Sequence, residues 1–284
     1  MCNVAIARYA VVRLTASNAG ATQPSSDIPL VRAAVRRARV FDATVAIESE
    51  FPVGAGLGGS SAASAALLGA LAVWNHTVWD RAQIAEEGRL IEVEDLGIAG
   101  GRQDHYAATH GGALALTFTS SVSVRRIAMS TATRDALVAR SILVYTGESR
   151  ISGDTITAVL GAYERGVASV VNALRRMREL AMEMADALGR SDLHALGGIL
   201  NEHWTHQRAL HPSIPTPKID EVVAKSLSAG ALGAKAMGAS GGGCVLIIAA
   251  PDSVDRIRSA VRPLGEILDF SVDEAGMKIV SQAP

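Results

Sequence analysis

Alternating and helically spaced apolar residues succeed one another along the chain, so strands and helices interleave from end to end. Val4 to Leu14 is an apolar run carrying Arg8 and Arg13 and predicts a strand, and Ser17 to Asp27 reads as a polar loop. Residues 28–39 predict a short basic amphipathic helix with Val31, Ala34 and Val35 on one face. Ala43 to Glu50 alternates with period two, the pattern of a half-exposed strand, and Pro52 ends it. A helix rich in Ala and Leu follows from about Ser60 to Trp74. A second runs from Arg81 to Val93, with Ile84, Gly88 and Ile91 on one face. Gly97 to Gly101 predicts a turn, and Arg102 to Ala108 a short helix closed by Gly111 and Gly112. Ala113–Phe118 and Val122–Ile127 predict paired strands, and Ile142–Tyr145 a further one.

The pattern then changes. Leu160, Tyr163, Val167, Val170, Leu174, Met177, Met184 and Leu188 fall at helical steps, which predicts one long helix from Thr155 to Leu188 with its methionines filling core. Asp192 to Leu210 reads as another helix, followed by a bend at Pro212, Pro215 and Pro217. Thr216 and Pro217 supply an N-cap and a first-turn proline for a helix to Ser228, with Gly230 as its stop. Cys244–Ala250 predicts a buried strand, Asp252–Val261 a capped helix and Leu268–Val272 a closing strand. There is no internal repeat or low-complexity linker, so the class is α+β or α/β, and the shift near residues 130–150 divides the chain into two halves.

Length and charge narrow the classes. A chain of 284 residues makes one large domain or two ordinary ones. A formal net charge of −1 gives no global attraction to nucleic acid or anionic membranes, and Arg175, Arg176 and Arg178 read as a solvated helix face. The two cysteines, Cys2 and Cys244, form no CxxC and point to a reducing cytosol, with Cys244 a small buried hydrophobe. No apolar leader or uninterrupted run of about 18 apolar residues is visible, so a cytoplasmic location without membrane or nucleic-acid partners is expected. His203 and His206, with His211 nearby, lack a further spaced ligand and read as a helix face near substrate or solvent.

Candidate chemistry centres on Pro52-Val53-Gly54-Ala55-Gly56-Leu57-Gly58-Gly59-Ser60-Ser61, which opens the Ala/Leu helix. Glycines let backbone amides approach an anion closely, and the helix N-terminus adds donors and positive potential. A Walker A loop is excluded, because no lysine lies between Gly54 and Trp74. Gly54, Gly56 and Gly59 match GxGxxG literally, but Pro52 interrupts the strand-to-turn junction and the preceding strand alternates. Asp80 stands where that fold would ask for an acid, yet no strand leads to it.

The loop instead resembles the phosphate loop of the kinases that group galactokinase, homoserine kinase, mevalonate kinase and phosphomevalonate kinase, the GHMP superfamily. Transfer of a γ-phosphoryl group needs Mg²⁺ to gather phosphate oxygens and a group to take the acceptor's proton. The resemblance implies ATP as donor, bound by Pro52, Gly54, Gly56, Leu57, Gly58, Gly59, Ser60 and Ser61. It assigns the metal to Glu92 with Ser60, and the position beside the acceptor hydroxyl to Asp104. His105 stands where the family usually has Gln, a departure expected to bear on sugar selectivity. Lys235 to Cys244 is similar to the family's C-terminal Gly-Ala-Gly-Gly-Gly loop with Ser240 in place of one glycine. By that likeness Gly238, Gly241, Gly242 and Gly243 bring amides to the transferring phosphate and the acceptor.

Within the superfamily, Gly101-Arg102-Gln103-Asp104-His105-Tyr106-Ala107-Ala108 is similar to a segment of the D-glycero-D-manno-heptose 7-phosphate kinases and their sugar-kinase relatives. Leu143 to Arg150 resembles their strand ending in Thr-Gly-x-x-Arg, and Trp204 to Glu221 follows their pattern; the likeness runs from Asn3 onward. These kinases begin with a strand carrying Arg-x-Pro-Leu-Arg and a Gly-Gly-Gly-Thr-Asp turn that helps bind the sugar. Asn3-Val4-Ala5-Ile6 resembles the stretch immediately C-terminal to that turn, so a misplaced start or a truncation is expected, with an exposed sheet edge and an incomplete sugar pocket. The resemblance implies an α+β fold of two domains. Residues 1–137 form an ATP-binding domain like domain 2 of ribosomal protein S5, and 138–284 a ferredoxin-like domain, with the nucleotide between them. The implied activity is phosphorylation of a sugar hydroxyl, foremost C1 of the heptose 7-phosphate. A kinase for a fucose-, galactose- or mevalonate-like alcohol and a catalytically impaired nucleotide or sugar binder are the alternatives. A homodimer is a candidate assembly.

Overall fold

The computed structural model describes residues 1–17, 28–148 and 153–280. The loop expected at Ser17 to Asp27 and the end of the Thr-Gly-x-x-Arg segment, Ser149 and Arg150, fall largely outside them. The described chain divides into two units. A helical unit takes Ala5–Pro52, Gly58–Gly112 and the chain from Asp273; a sheet unit takes Met1–Val4, Val53–Leu57 and Ala113–Val272.

In the helical unit, β2 (Ala10–Ala16) and β3 (Ala43–Ser49) pair antiparallel, with Ala10 opposite Ser49 and Ala16 opposite Ala43. Their alternation turns Val12, Leu14, Val45 and Ile47 toward a core shared with α1 (Pro29–Ala38), α2 (Gly59–Trp74) and α3 (Arg81–Leu90). The centre of that core is Leu67, Leu68, Leu71, Ile84 and Ile91, all fully buried. A capping box between Asp80 and Gln83 starts α3. The expected helix to Val93 is present, but from Ile91 to Asp95 it widens into a π-helical turn. Arg37 of α1 braces that turn, reaching Glu94 at 2.8 Å and Asp95 at 2.5 Å. Then comes α4 (Gln103–His110).

The returning chain completes the same unit. Gly112 donates its N–H to Asp273 O at 2.7 Å, and Asp273 donates to Ala5 O at 3.0 Å. The Met277 sulfur fills the space a side chain on Gly69 would need, 2.6 Å from where that Cβ would stand.

The sheet unit holds two antiparallel sheets. One has the order β1 (Cys2–Val4), β4 (Ala113–Phe118), β5 (Val122–Arg126), with Val4 opposite Ala113. The other has the order β7 (Ala231–Ala236), β8 (Cys244–Ala249), β6 (Ser141–Tyr145), β9 (Glu266–Leu268). On one face Ile142, Val144, Val245 and Ile247 pack with Trp204, Ile219, Val222 and Ile257. On the other, Ile248 joins Met184, Leu188, Leu196 and Leu200. The helices are α5 (Thr131–Arg140), α6 (Gly153–Glu164), α7 (Ala168–Gly189), α8 (Leu193–Arg208), α9 (Pro217–Ser228) and α10 (Val254–Val261).

Three expectations need correction. The single strand over 4–14 is interrupted: β1 ends at Val4, β2 begins only at Ala10, and the two pair with different strands. The long helix over 155–188 is two helices: Gly166 takes φ 71°, and its N–H and that of Val167 bond Tyr163 O and Ala162 O, a Schellman stop. The closing strand lies at Glu266–Leu268 rather than Leu268–Val272, where Leu268 pairs with Leu143. Two elements were not expected, α5 and β7. A Ser130 side-chain cap on Thr133 N starts α5, and β7 reads Ala-Leu-Gly-Ala-Lys-Ala with no β-branched or aromatic residue to mark a strand.

The edge of β7 is covered by α8. Asn201 accepts from Ala234 N and donates to Leu232 O, both at 3.0 Å, so its amide takes the place of a neighbouring strand. The approach depends on glycine, since a Cβ on Gly233 would stand 1.8 Å from Gly197 O. Gly233→Ala is expected to lower stability by about 1–3 kcal/mol through overpacking. Gly198→Ala, whose Cβ meets nothing within 4 Å, is expected to be neutral or to gain up to ~1 kcal/mol from helix propensity. Urea unfolding midpoints of the two variants check the contrast.

Candidate active site

In the helical unit the site is built around the N-terminus of α2. Gly58 takes φ 77° and its carbonyl accepts from Ala62 N at 2.9 Å, while no side chain caps the first-turn amides. A side chain at Gly58 would come within 3.1 Å of Asp104 Cβ, so the missing Cβ lets the first turn of α4 lie directly against the start of α2. Ser60 Oγ donates to Glu92 Oε1 at 2.9 Å. Glu92 sits in the π-helical turn, 9% exposed, with Gly100 close enough that a Cβ there would be 3.3 Å from Oε2.

Burial sets the electrostatics. Desolvation raises the Glu92 carboxyl, and the Ser60 hydroxyl opposes the shift. Asp104 is pushed up to about 6, first by desolvation and then by the charge of Glu92, with the Gln103 amide at 3.4 Å pulling the other way. Two desolvated acids, both raised above their ordinary values, are thereby set around one helix N-terminus. His105, expected to bear on sugar selectivity, is fully buried, with Nε2 3.5 Å from Glu92 Oε2. Burial lowers it to about 4, the Arg89 charge adds to this, and backbone at Gly101 and Gly88 opposes it.

In the sheet unit the two glycine loops run backbone to backbone. Cys244 N donates to Ala55 O at 2.9 Å, and Tyr145 OH to Val53 O at 3.2 Å. A Cβ on Gly56 would be 3.1 Å from Met237 O, and one on Gly243 2.7 Å from Ala55 O. Gly238, Gly241, Gly242 and Gly243 all have positive φ, and so does Ser240 at 70°. The Ser240 hydroxyl donates to Ile214 O at 2.8 Å, which offsets the strain of a side chain in that conformation. Gly241 N is spent on Ile214 O and Gly243 N on Glu148 O, while Gln207 Nε2 holds Gly238 O at 3.0 Å.

The structure therefore brings Gly58, Gly59, Ser60, Ser61, Glu92 and Asp104 into the helical unit, and Gly54, Gly56, Leu57 with Gly238–Gly243 into the sheet unit. Sequence reasoning placed Gly88 on the apolar face of its helix without giving it a part in the site, and passed over Ser64 and Gln207. Gly88 had a signal, because glycine inside a helix costs about 1 kcal/mol against alanine and so needs a packing reason. Cys244 is fully buried, as expected. Among the described residues no group of three or more His, Cys, Asp or Glu could hold a metal, and no helix is long and apolar enough to cross a membrane.

Acids around a glycine-opened helix N-terminus are a set of groups compatible with phosphoryl transfer. Residues 29–112 match the GHMP kinases N terminal domain and 184–266 the GHMP kinases C terminal model. The chain is 30% identical over 233 residues to the D-glycero-alpha-D-manno-heptose 7-phosphate kinase of Campylobacter jejuni, covering 81% of this chain and 68% of that protein. It is 29% identical over 242 residues to the mevalonate kinase of Thermococcus sibiricus, covering 83% and 68%. Among solved structures, a D-glycero-D-manno-heptose 1-phosphate kinase from Bacteroides thetaiotaomicron superposes with TM-score 0.78 at 22% identity, over 99% of this chain and 90% of that one. The chain belongs to the GHMP kinases and has their two-domain α+β fold. It is a phosphotransferase with an alcohol acceptor, of a family that uses ATP as phosphate donor.

Because the folded state holds the Asp104 proton to about pH 6, it binds more protons than the unfolded chain between about 4 and 6, and stability falls as pH rises through that window. Asp104→Asn is expected to raise stability at pH 8 by on the order of 1–3 kcal/mol, the gain shrinking toward pH 4. Thermal unfolding of both proteins at pH 4, 6 and 8 measures it.

Proposed function

We propose that this protein transfers the γ-phosphoryl group of ATP to C1 of D-glycero-D-manno-heptose 7-phosphate. The observation that carries the reading is the pairing of Asp104, with its proton held to about pH 6, and Glu92 at the start of α2. The heptose acceptor is supported by the 30% identity to the Campylobacter jejuni enzyme across 81% of this chain. In this reading the ATP-binding domain spans 1–137 and the C-terminal domain 138–284, supported by family matches that fall one on each side.

The roles follow from the chemistry of the side chains. Amides of the Pro52–Ser61 loop and the hydroxyls of Ser60 and Ser61 bind phosphate oxygens. Gly238, Gly241, Gly242 and Gly243 form a second phosphate or substrate loop, in which the Gly241 and Gly243 amides fix the loop through Ile214 O and Glu148 O rather than meeting the ligand. Asp104, ionised at neutral pH yet a better base than an ordinary aspartate, takes the proton of the acceptor hydroxyl. Glu92 and Ser60 fit Mg²⁺: a desolvated carboxylate and a hydroxyl form a donor pair to which phosphate oxygens and waters add. When bound there, Mg²⁺ neutralises charge on the phosphoryl oxygens.

A second acceptor class has its own support, the 29% identity to a mevalonate kinase. ADP release is therefore measured with heptose 7-phosphate, unphosphorylated heptose, L-fucose, galactose and mevalonate. The heptose 7-phosphate is expected to give the highest kcat/KM, and ATP binding without turnover on any of them would make the protein a binder. Asp104→Asn is expected to lower kcat by roughly 10²–10⁴-fold while nucleotide affinity, read by calorimetry, stays near that of the parent. Near-parental turnover in that variant would remove Asp104 from the chemistry.

A further inference from the structure

His105 is fully buried at the start of α4; neither ring nitrogen has a hydrogen-bond partner of full geometry, although the backbone at Gly101 and Gly88 lies close enough to the ring to act on it. Its Nε2 lies 3.5 Å from Glu92 Oε2, the oxygen that Ser60 does not hold. The fit around the ring is close. A Cβ on Gly88 of α3 would stand 2.7 Å from His105 Cδ2 and equally 2.7 Å from Ser64 Oγ of α2. Three helices therefore meet at a residue without a side chain, and their approach seats the imidazole against the Glu92 carboxylate. Ser64 Oγ is buried there without a partner too, so the pocket holds polar groups that have given up water and gained little in return.

A neutral imidazole carries one ring proton. With the proton on Nε2, His105 faces the carboxylate as a donor; with it on Nδ1, a lone pair opposes a lone pair. A contraction of about 0.5 Å would turn the first arrangement into a charge-assisted hydrogen bond. Glu92 would then be fixed through both oxygens, Oε1 by Ser60 and Oε2 by His105, which sets the plane of the carboxylate.

We propose that His105 is a positioning residue for Glu92: it donates Nε2–H to Oε2 and holds the carboxylate in the orientation that receives a divalent cation. This rests on the reading of Glu92 as the metal-holding residue. His105 itself touches neither nucleotide nor acceptor. Its contribution is to keep Glu92 from turning in a site where only one of its oxygens is otherwise tied.

The test uses the full chain, Mn²⁺ as the probe and a non-hydrolysable ATP analogue at saturation, with free and bound Mn²⁺ resolved by electron paramagnetic resonance. His105→Met keeps bulk and removes the donor; His105→Gln keeps an N–H. Losing an orienting partner of a metal ligand typically costs about 10–100-fold in metal affinity. The Met variant is expected to bind Mn²⁺ at least tenfold more weakly, the Gln variant close to the parent, and both to bind metal-free nucleotide as the parent does. Equal Mn²⁺ affinity in the Met variant overturns the inference while Glu92→Ala still abolishes binding. Unchanged Mn²⁺ binding in Glu92→Ala overturns the underlying assignment of the metal instead. Should the Met variant not fold, long-range ¹H–¹⁵N correlation in the parent decides: a proton on His105 Nε2 supports the proposal, and one on Nδ1 overturns it.

Discussion

A carboxylate taken out of water must be compensated, and Glu92 is the residue around which the helical unit solves that problem. One hydroxyl, from Ser60, reaches it directly, a buried imidazole and the backbone at Gly100 lie close by, and its charge is felt at Asp104. Isolated buried charge is among the most costly things a fold can contain. Here the cost falls beside a helix N-terminus, whose unpaired amides favour negative charge at the same place. The arrangement is under-compensated by the protein alone, and a bound cation would supply the missing positive charge and stabilise the fold by mass action.

Glycine sets the distances on which this depends. At Gly58 and Gly88 the absence of a Cβ lets helices approach until Asp104 and His105 sit against α2 and α3. In the sheet unit the same device brings the backbone at Gly56 against Met237 and Gly238, and that at Gly243 against Ala55. A methyl group at any of these positions would stand 3.1 Å or less from its nearest neighbour. Neither loop is loose: Gly238, Gly241 and Gly243 are each tied by a hydrogen bond to another segment. Rigid, desolvated polar groups are what electrostatic stabilisation of a transferring phosphoryl group requires.

Much of this is legible in the chain. Period-two alternation locates β3, capping residues locate α9, and the Pro52–Ser61 loop with Glu92 and Asp104 stands out as a set. The features that the sequence hides are governed by contacts distant along it. Nothing in Ile91–Asp95 marks a π-helical turn, whose acids Arg37 of α1, more than 50 residues earlier, holds in place. A strand as featureless as β7 is held by Asn201 of α8 rather than by its own propensity. Gly166 could divide the long helix, but the apolar spacing continues across it and masks the break. His105 reads as facing a ligand because its sequence neighbours do; its burial is a tertiary fact.

The hydrogen bonds that join Gly112, Asp273 and Ala5, together with the Met277 sulfur lodged at Gly69, have a kinetic consequence. The helical unit is a discontinuous piece of chain whose closing stitches are separated from the rest by about 160 residues of another unit. During synthesis, α1 to α4 emerge long before Asp273 to Met277 exist to finish their core. Loop-closure entropy for so long an excursion is met only once the intervening sheet unit has collapsed and shortened the path. The topology therefore makes the unit bearing Glu92 and Asp104 wait for its last segment until residues 113–272 have been synthesised.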